Sequence, residues 1–106
     1  MKKITLFAIL SMLTSVSHAG GAESFNVDFV GCFPDGKCFI GINPNATATT
    51  CTNKSQVRFQ NSNAGAREQY AAAMTAFALN KKIRVHLKDI CLDDFPTPDF
   101  IHVNNE

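Results

Sequence analysis

The spacing of apolar residues changes once along this chain, and that change most limits the folds open to it. Between residues 67 and 80 the apolar side chains recur every three or four positions, the spacing of one helical face, and several alanines add helix preference. Between residues 83 and 88 apolar and polar residues alternate, the pattern of a strand with one buried face. The sequence therefore predicts a helix packed on a sheet. The predicted apolar face of the helix consists of Tyr70, Ala71, Met74, Phe77 and Ala78.

Polar residues at both ends support the predicted helix. Ser62 or Asn63 is placed to cap its N-terminus, and the negative charge of Glu68 in an early turn suits the helix dipole. Asn80 is the predicted left-handed residue that ends the helix.

Residues 1–19 have the three parts of a bacterial secretory signal peptide. Two lysines follow the first Met, residues 4–13 form an apolar run, and a small-x-small cleavage site ends at Ala19. The apolar run is short for a membrane span, so an N-terminal membrane anchor is the less favoured alternative. Cleavage near Ala19 predicts a secreted or periplasmic protein. Residues 20–106 then form a single domain with no further run of membrane length.

The charge of that domain limits its partners. Without the two lysines of the signal peptide, eight basic residues face nine acidic ones. A nearly neutral domain is poorly suited to neutralise phosphates, so its charge argues against nucleic acid as a partner.

All four cysteines follow the predicted cleavage site, and an even number in a small exported chain predicts two disulfides. Three pairings are possible. We favour Cys32–Cys38, which flanks a short turn, and Cys51–Cys91, which ties the start of one strand to the end of another. A zinc site is the alternative, but the spacings match no common zinc finger.

Four further segments complete a predicted element order of β-β-β-α-β-β. Residues 25–29 alternate in polarity, and residues 38–42 return after a Pro-Asp-Gly turn. Residues 55–60 form a third strand and residues 100–103 a short last one. The side chains predicted to face the core from the first strand are Phe25, Val27 and Phe29.

Glycine and proline mark the irregular parts of the chain. Gly41, inside the second strand, predicts a bulge or a close backbone approach. The small polar residues 43–50 predict an exposed loop. Residues 92–99, which contain two prolines and three acids, predict a second loop rather than a strand.

Five strands with one helix between the third and fourth are the element order of a small Greek-key barrel, the OB-fold. The sequence therefore predicts a β-rich α+β domain, a five-stranded OB-fold-like barrel with one helix and two disulfides. A plain α+β sheet is the alternative, because element order alone does not decide between them.

No combination of residues predicts catalysis. The sequence has no nucleophile elbow, no Gly-rich phosphate loop after a strand and no His-Glu-x-x-His. Asp93 and Asp94 are adjacent, and adjacency does not give the opposed side chains of paired catalytic carboxylates. A metal shared by His86 and His102 is less favoured than two ordinary surface histidines. We therefore predict no enzyme, no metal site and no cofactor.

Outward-facing polar residues on two strands are the candidate binding residues. Arg84, His86 and Lys88 alternate with apolar residues and form a positive stripe suited to an anionic group such as a carboxylate. On the first strand, Asn26 and Asp28 offer hydrogen-bonding groups suited to sugar hydroxyls. In both cases a solvated strand face is the alternative explanation.

Residues 51–55, the helix up to Asn80 and the strand over residues 82–90 resemble the B subunits of AB5 toxins, in particular the subtilase-cytotoxin-like branch. The resemblance implies an OB-fold and a homopentameric ring whose helices line the central pore. It implies recognition of host glycans, often sialylated, and a toxin A subunit as a partner. It also places Ser24 near the position of the family's sugar-contacting serine.

These observations predict a secreted, cell-surface glycan-binding B-type subunit of an AB5-like toxin that acts by non-covalent recognition. The aromatic composition argues against a sugar site, because the chain has no Trp and one Tyr, whereas sugar sites usually stack a ring on an aromatic face. The alternative is a small disulfide-stapled periplasmic or secreted protein. Such a protein binds a protein partner, as an inhibitor or assembly factor, and has no sugar site.

Overall fold

A computed structural model describes residues 21–104, which contain one five-stranded antiparallel sheet and one helix. The elements follow the predicted order. None of the helical structure in this part of the chain has both the length and the apolar character of a membrane span. The predicted signal peptide, residues 1–19, lies outside the described residues. The elements are β1 (Gly21–Cys32), β2 (Lys37–Asn43), β3 (Gln56–Gln60), α1 (Ala66–Leu79), β4 (Lys82–Leu92) and β5 (Phe95–Val103).

The strands lie in the order β3-β2-β1-β4-β5, and β1 is central because it is long enough to pair twice. Its first half pairs with β4 and its second half with β2. The edge strands approach each other, since the Arg58 guanidinium on β3 lies 4.3 Å from the ring centroid of Phe95 on β5.

The predicted β-rich α+β domain with five strands and one helix is present, but the sheet does not close into a barrel, because within residues 21–104 its edge strands β3 and β5 do not pair. Pro96 and Pro98 contribute to this arrangement. Proline has no backbone N–H, so the two residues remove donors that a further ladder on β5 would need, and prolines are accepted on edge strands for that reason.

The core lies between one face of the sheet and α1. The helix buries only small side chains, those of Ala66, Ala73 and Ala76, so its backbone packs close to the sheet. The predicted apolar face of the helix is therefore only partly right: Tyr70 packs against the core beside Phe59, but Met74 and Phe77 are each 48% exposed. The largest fully buried side chains of the sheet include Phe25, Ile40, Val57, Ile83 and Val85.

The two ends of the helix differ in how well the sequence predicted them. The N-cap is Gly65, whose left-handed φ of 76° glycine adopts without steric cost, so the predicted cap at Ser62 or Asn63 is wrong. Glu68 lies in the first turn, as predicted. Asn80 is confirmed as the left-handed C-terminal residue, with φ 54°.

Both favoured disulfides are present. Cys32 and Cys38 oppose each other in the ladder between β1 and β2 and close the short turn. Cys51, in the connection from β2 to β3, is bonded to Cys91 on β4. No free cysteine remains among residues 21–104, so the thiolates that a zinc site needs are already used.

The stretch predicted as a loop at residues 92–99 is instead a tight hairpin followed by a strand. Leu92 at the end of β4 pairs with Phe95 at the start of β5, which leaves Asp93 and Asp94 as a two-residue turn. Both aspartates have positive φ, 52° and 67°, as type I′ hairpin turns require. The turn therefore uses Asp where Asn or Gly is more usual.

The connection from β2 to β3, predicted to be exposed, is partly buried and tied to β1. Ala46 and Thr49 are buried. The carboxylate of Glu23 accepts the backbone N–H of Thr47 at 3.0 Å and that of Ala48 at 2.6 Å. These hydrogen bonds satisfy backbone donors that a loop of this kind would otherwise leave to solvent.

Candidate functional site

The face of the sheet opposite α1, here called the outer face, brings several predicted residues together. Alternate residues of β4 fill the core, so Arg84 and His86 lie on the outer face. The ladder with β1 places Ser24 beside Arg84, and the ladder with β5 places His102 beside Arg84 and Phe100 beside His86. We call these five residues the Arg84 patch.

Arg84 is held in place but not neutralised. Its side chain is partly buried, and Nη1 donates a hydrogen bond to Oγ of Ser24 at 3.1 Å. No carboxylate of residues 21–104 forms an ion pair with it. Because guanidinium carries five N–H donors in one plane, the bond to Ser24 leaves donors for a two-oxygen acceptor such as a carboxylate.

Aromatic side chains are neighbours of Arg84 on β4 and β5. The rings of His86 and Phe100 are stacked with their centroids 3.8 Å apart, and the His102 ring lies 5.9 Å from His86. Phe100 is 45% exposed. Within residues 21–104 no group of three or more His, Cys, Asp or Glu side chains is placed to hold a metal ion. The patch therefore combines an unpaired cation with an exposed apolar ring.

The other predicted residues lie outside the patch. Asn26 is exposed on β1, two residues beyond Ser24, and Asp28 is exposed in a bulge of the same strand. Lys88 lines a shallow depression beside the start of α1, together with residues such as Gln69. Lys88 therefore lies apart from Arg84 and His86, beyond the point at which the ladder between β4 and β5 shifts register.

A cluster of phenylalanines on the outer face was not predicted. Phe39 on β2 lies between Phe29 and Phe33, with its ring centroid 6.0 Å and 5.1 Å from theirs. Phe29 and Phe33 are each 42% exposed. We call these three residues the aromatic cluster.

Phe29 belongs to this cluster because of a backbone irregularity. The sequence places it on the core face with Val27, but a bulge between these residues reverses the alternation, and Phe29 then lies on the outer face. Its ring covers Gly41 so closely that a Cβ there would collide with it. The predicted close approach at Gly41 is therefore confirmed, and the partner is an aromatic ring.

Charged residues border the aromatic cluster and pair with each other. Arg58 Nη1 lies 3.0 Å from Asp93 Oδ2, and Lys37 Nζ lies 3.3 Å from Asp93 Oδ1. The Arg58 guanidinium also lies 5.3 Å from the ring centroid of Phe33. The hydrogen bond from Lys37, helped by Arg58, holds the pKa of Asp93 below its ordinary value of 3.8.

We expect the wild-type protein to lose stability more steeply than Asp93→Asn between about pH 5 and about pH 2. Folding lowers the pKa of Asp93, so its stabilising effect is complete above the ordinary value of 3.8 and is lost as pH falls through the lowered pKa. Thermal midpoints measured by circular dichroism across this range report the difference.

Asp94→Asn is the matched control for that measurement. Asp94 lies in the same turn with the same sign of φ, and it forms no ion pair within residues 21–104. Its pH dependence should follow the wild type. Parallel curves for wild type and Asp93→Asn would show that the pairing with Lys37 and Arg58 adds nothing.

Comparisons of the chain with known protein families, with curated proteins and with solved structures found no significant match. The resemblance to AB5 B subunits therefore rests on the amino-acid sequence alone. The function is inferred from the positions of the residues on the outer face.

Proposed function

We propose that the chain is a secreted or periplasmic glycan-binding B-type subunit of an AB5-like toxin, and that it recognises an acidic, sialylated host glycan. The observation that carries this proposal is the guanidinium of Arg84. It is fixed by Ser24 and has no carboxylate partner within residues 21–104. Sialic acid supplies the carboxylate that such a planar donor group binds with two parallel hydrogen bonds.

Neighbouring groups supply the other contacts that an acidic sugar needs. The hydroxyl of Ser24 accepts a hydrogen bond from Arg84 and keeps its own proton to donate to a sugar oxygen. The exposed side of Phe100 offers an apolar surface to the C–H groups of the sugar ring. No bond is made or broken in this function, so it requires no acid, base or nucleophile.

Arg84→Ala should abolish binding of the protein to sialylated glycans on an array, whereas Lys88→Ala should leave it intact. Both substitutions remove one partly buried cation from β4, but only Arg84 lies beside Ser24. Losing a hydrogen bond to a charged group costs about 1.5–3 kcal/mol, or roughly 10- to 150-fold in affinity.

The two variants also distinguish binding at the Arg84 patch from a general attraction of the glycan by positive surface charge. Unchanged array binding by Arg84→Ala would remove this site from the proposal. Equal losses in Arg84→Ala and Lys88→Ala would show that positive charge on the surface, rather than the geometry at Ser24, attracts the glycan.

We further propose that each subunit is OB-fold-like, that five subunits form a ring, and that the ring binds a toxin A subunit. The exposed side chains of α1 support assembly: Met74 and Phe77 are each 48% exposed and Leu79 is 61% exposed. Exposed apolar surface of this kind usually marks an interface. In the ring that the resemblance implies, neighbouring copies of α1 cover these side chains.

A second candidate function is supported by the same exposed helix surface. A small exported protein that binds a protein partner, as an inhibitor or assembly factor, would bury Met74 and Phe77 against that partner. The two disulfides fit both candidates, because both act in an oxidising compartment outside the cytoplasm. The mass of the purified protein separates them, since only the first assembles with itself.

A further inference from the structure

The Arg84 patch and the aromatic cluster lie on the same face of the sheet and share β1. Ser24 belongs to the patch and Phe29 to the cluster, and Asn26 lies between them on the outer face. At about 3.3 Å per residue, the five steps from Ser24 to Phe29 cover roughly 16 Å. One sugar ring cannot reach both ends of this span, but a chain of several linked sugars can.

We propose that the Arg84 patch, Asn26 and Phe29 form one extended glycan site along β1. An acidic sugar binds at the Arg84 patch, and a neutral sugar further along the same oligosaccharide packs on Phe29. This inference rests on the proposed function and adds to it the length, direction and charge pattern of the ligand.

Charge determines which sugar binds at each end. At one end the guanidinium of Arg84 has no acidic partner within residues 21–104. At the other end the exposed Asp28 lies next to Phe29 in the chain, and the nearby cations Lys37 and Arg58 are already paired with carboxylates. A carboxylate near Asp28 is repelled, so the sugar that packs on Phe29 is neutral.

The ring of Phe29 is pre-organised to contact a sugar before any ligand binds. It lies over the backbone at Gly41 and against the ring of Phe39, so little conformational freedom remains to be lost on binding. At 42% exposure it still presents apolar surface to solvent. The exposed amide of Asn26 offers both a donor and an acceptor to sugar hydroxyls along the path.

The test compares two ligands on the oxidised, full mature protein by calorimetric titration. The probes are free N-acetylneuraminic acid and the trisaccharide sialyllactose. We expect the wild type to bind the trisaccharide more tightly. Phe29→Leu should weaken trisaccharide binding about three- to tenfold, the size of one aromatic packing contact, and leave the monosaccharide unchanged.

Two further variants serve as a control and as a second test of the extended site. Phe33→Leu removes a ring of the same 42% exposure from the far side of Phe39, and it should leave both affinities unchanged. Asn26 is exposed and, unlike Phe29, does not pack over a glycine. Asn26→Ala therefore tests the sugar contacts along β1 even if Phe29→Leu fails to fold. It should weaken only the trisaccharide.

The outcomes distinguish this inference from the function on which it rests. Equal affinities for the two probes, or trisaccharide binding that neither Phe29→Leu nor Asn26→Ala weakens, would overturn the extended site and leave the Arg84 patch in place. Equal losses in Phe29→Leu and Phe33→Leu would also overturn it. If the wild type binds neither probe, the proposed function and the extended site both fail.

Discussion

Replacing Cys51 and Cys91 together with serine is expected to lower the free energy of unfolding by about 4 kcal/mol. Their disulfide spans a sequence separation of 40 residues, which includes β3, α1 and most of β4. Cross-linking over this length removes conformational entropy from the unfolded chain. Small domains have a total stability of about 5–15 kcal/mol, so the loss is a large part of the whole.

Urea denaturation of the oxidised proteins, followed by circular dichroism, measures this effect. The matched control replaces Cys32 and Cys38 with serine, which removes a bridge of sequence separation 6 and is expected to cost about 2 kcal/mol. Equal losses in the two double variants would contradict the dependence on loop length.

Replacing Met74 and Phe77 together with glutamate is expected to convert the proposed ring into monomers that remain folded. Each side chain is 48% exposed in the single subunit, so glutamate is tolerated there. In the proposed ring the same side chains are covered by a neighbouring subunit, where unpaired carboxylates are costly to bury. Sedimentation velocity reports the mass, and far-UV circular dichroism reports the fold.

Thr75→Glu is the control for this effect. Thr75 is exposed on the same helix, and two residues advance a helix by about 200°, so it lies on the other side from Phe77. It should leave the assembly intact. If the Met74 and Phe77 variant keeps its assembled mass, α1 is not the interface.

The sequence predicted the element order well because its signals are local. Alternation over residues 83–88 and the alanine-rich segment before Asn80 depend on neighbouring residues only. The buried face of α1 could not be found in this way. Hydrophobicity favours Met74 and Phe77, whereas close approach to the sheet requires the small side chains of Ala73 and Ala76.

Turn and edge geometry limited the prediction of β5. Prolines and acids predicted a loop at residues 92–99, but an edge strand accepts Pro96 and Pro98, and Asp93 and Asp94 form the turn. Composition alone does not show whether a strand lies at an edge, because that depends on which strands pair.

The candidate site was predictable only in part, for a similar reason. Alternation predicts that Arg84 and His86 face outward, but the register that places Ser24 beside Arg84 is set by long-range pairing. The bulge that turns Phe29 outward lies in β1 between Val27 and Phe29, where no glycine or proline marks it. Gly41, which indicates a bulge or a close approach, lies opposite on β2. The sequence therefore does not predict the aromatic cluster.

The mass of the oxidised mature protein, measured by light scattering behind a sizing column, tests the proposed B-type subunit most directly. We expect a mass about five times that of the monomer, as a closed ring of five identical subunits requires. A clean monomer would contradict the ring and favour the exported protein that binds a protein partner.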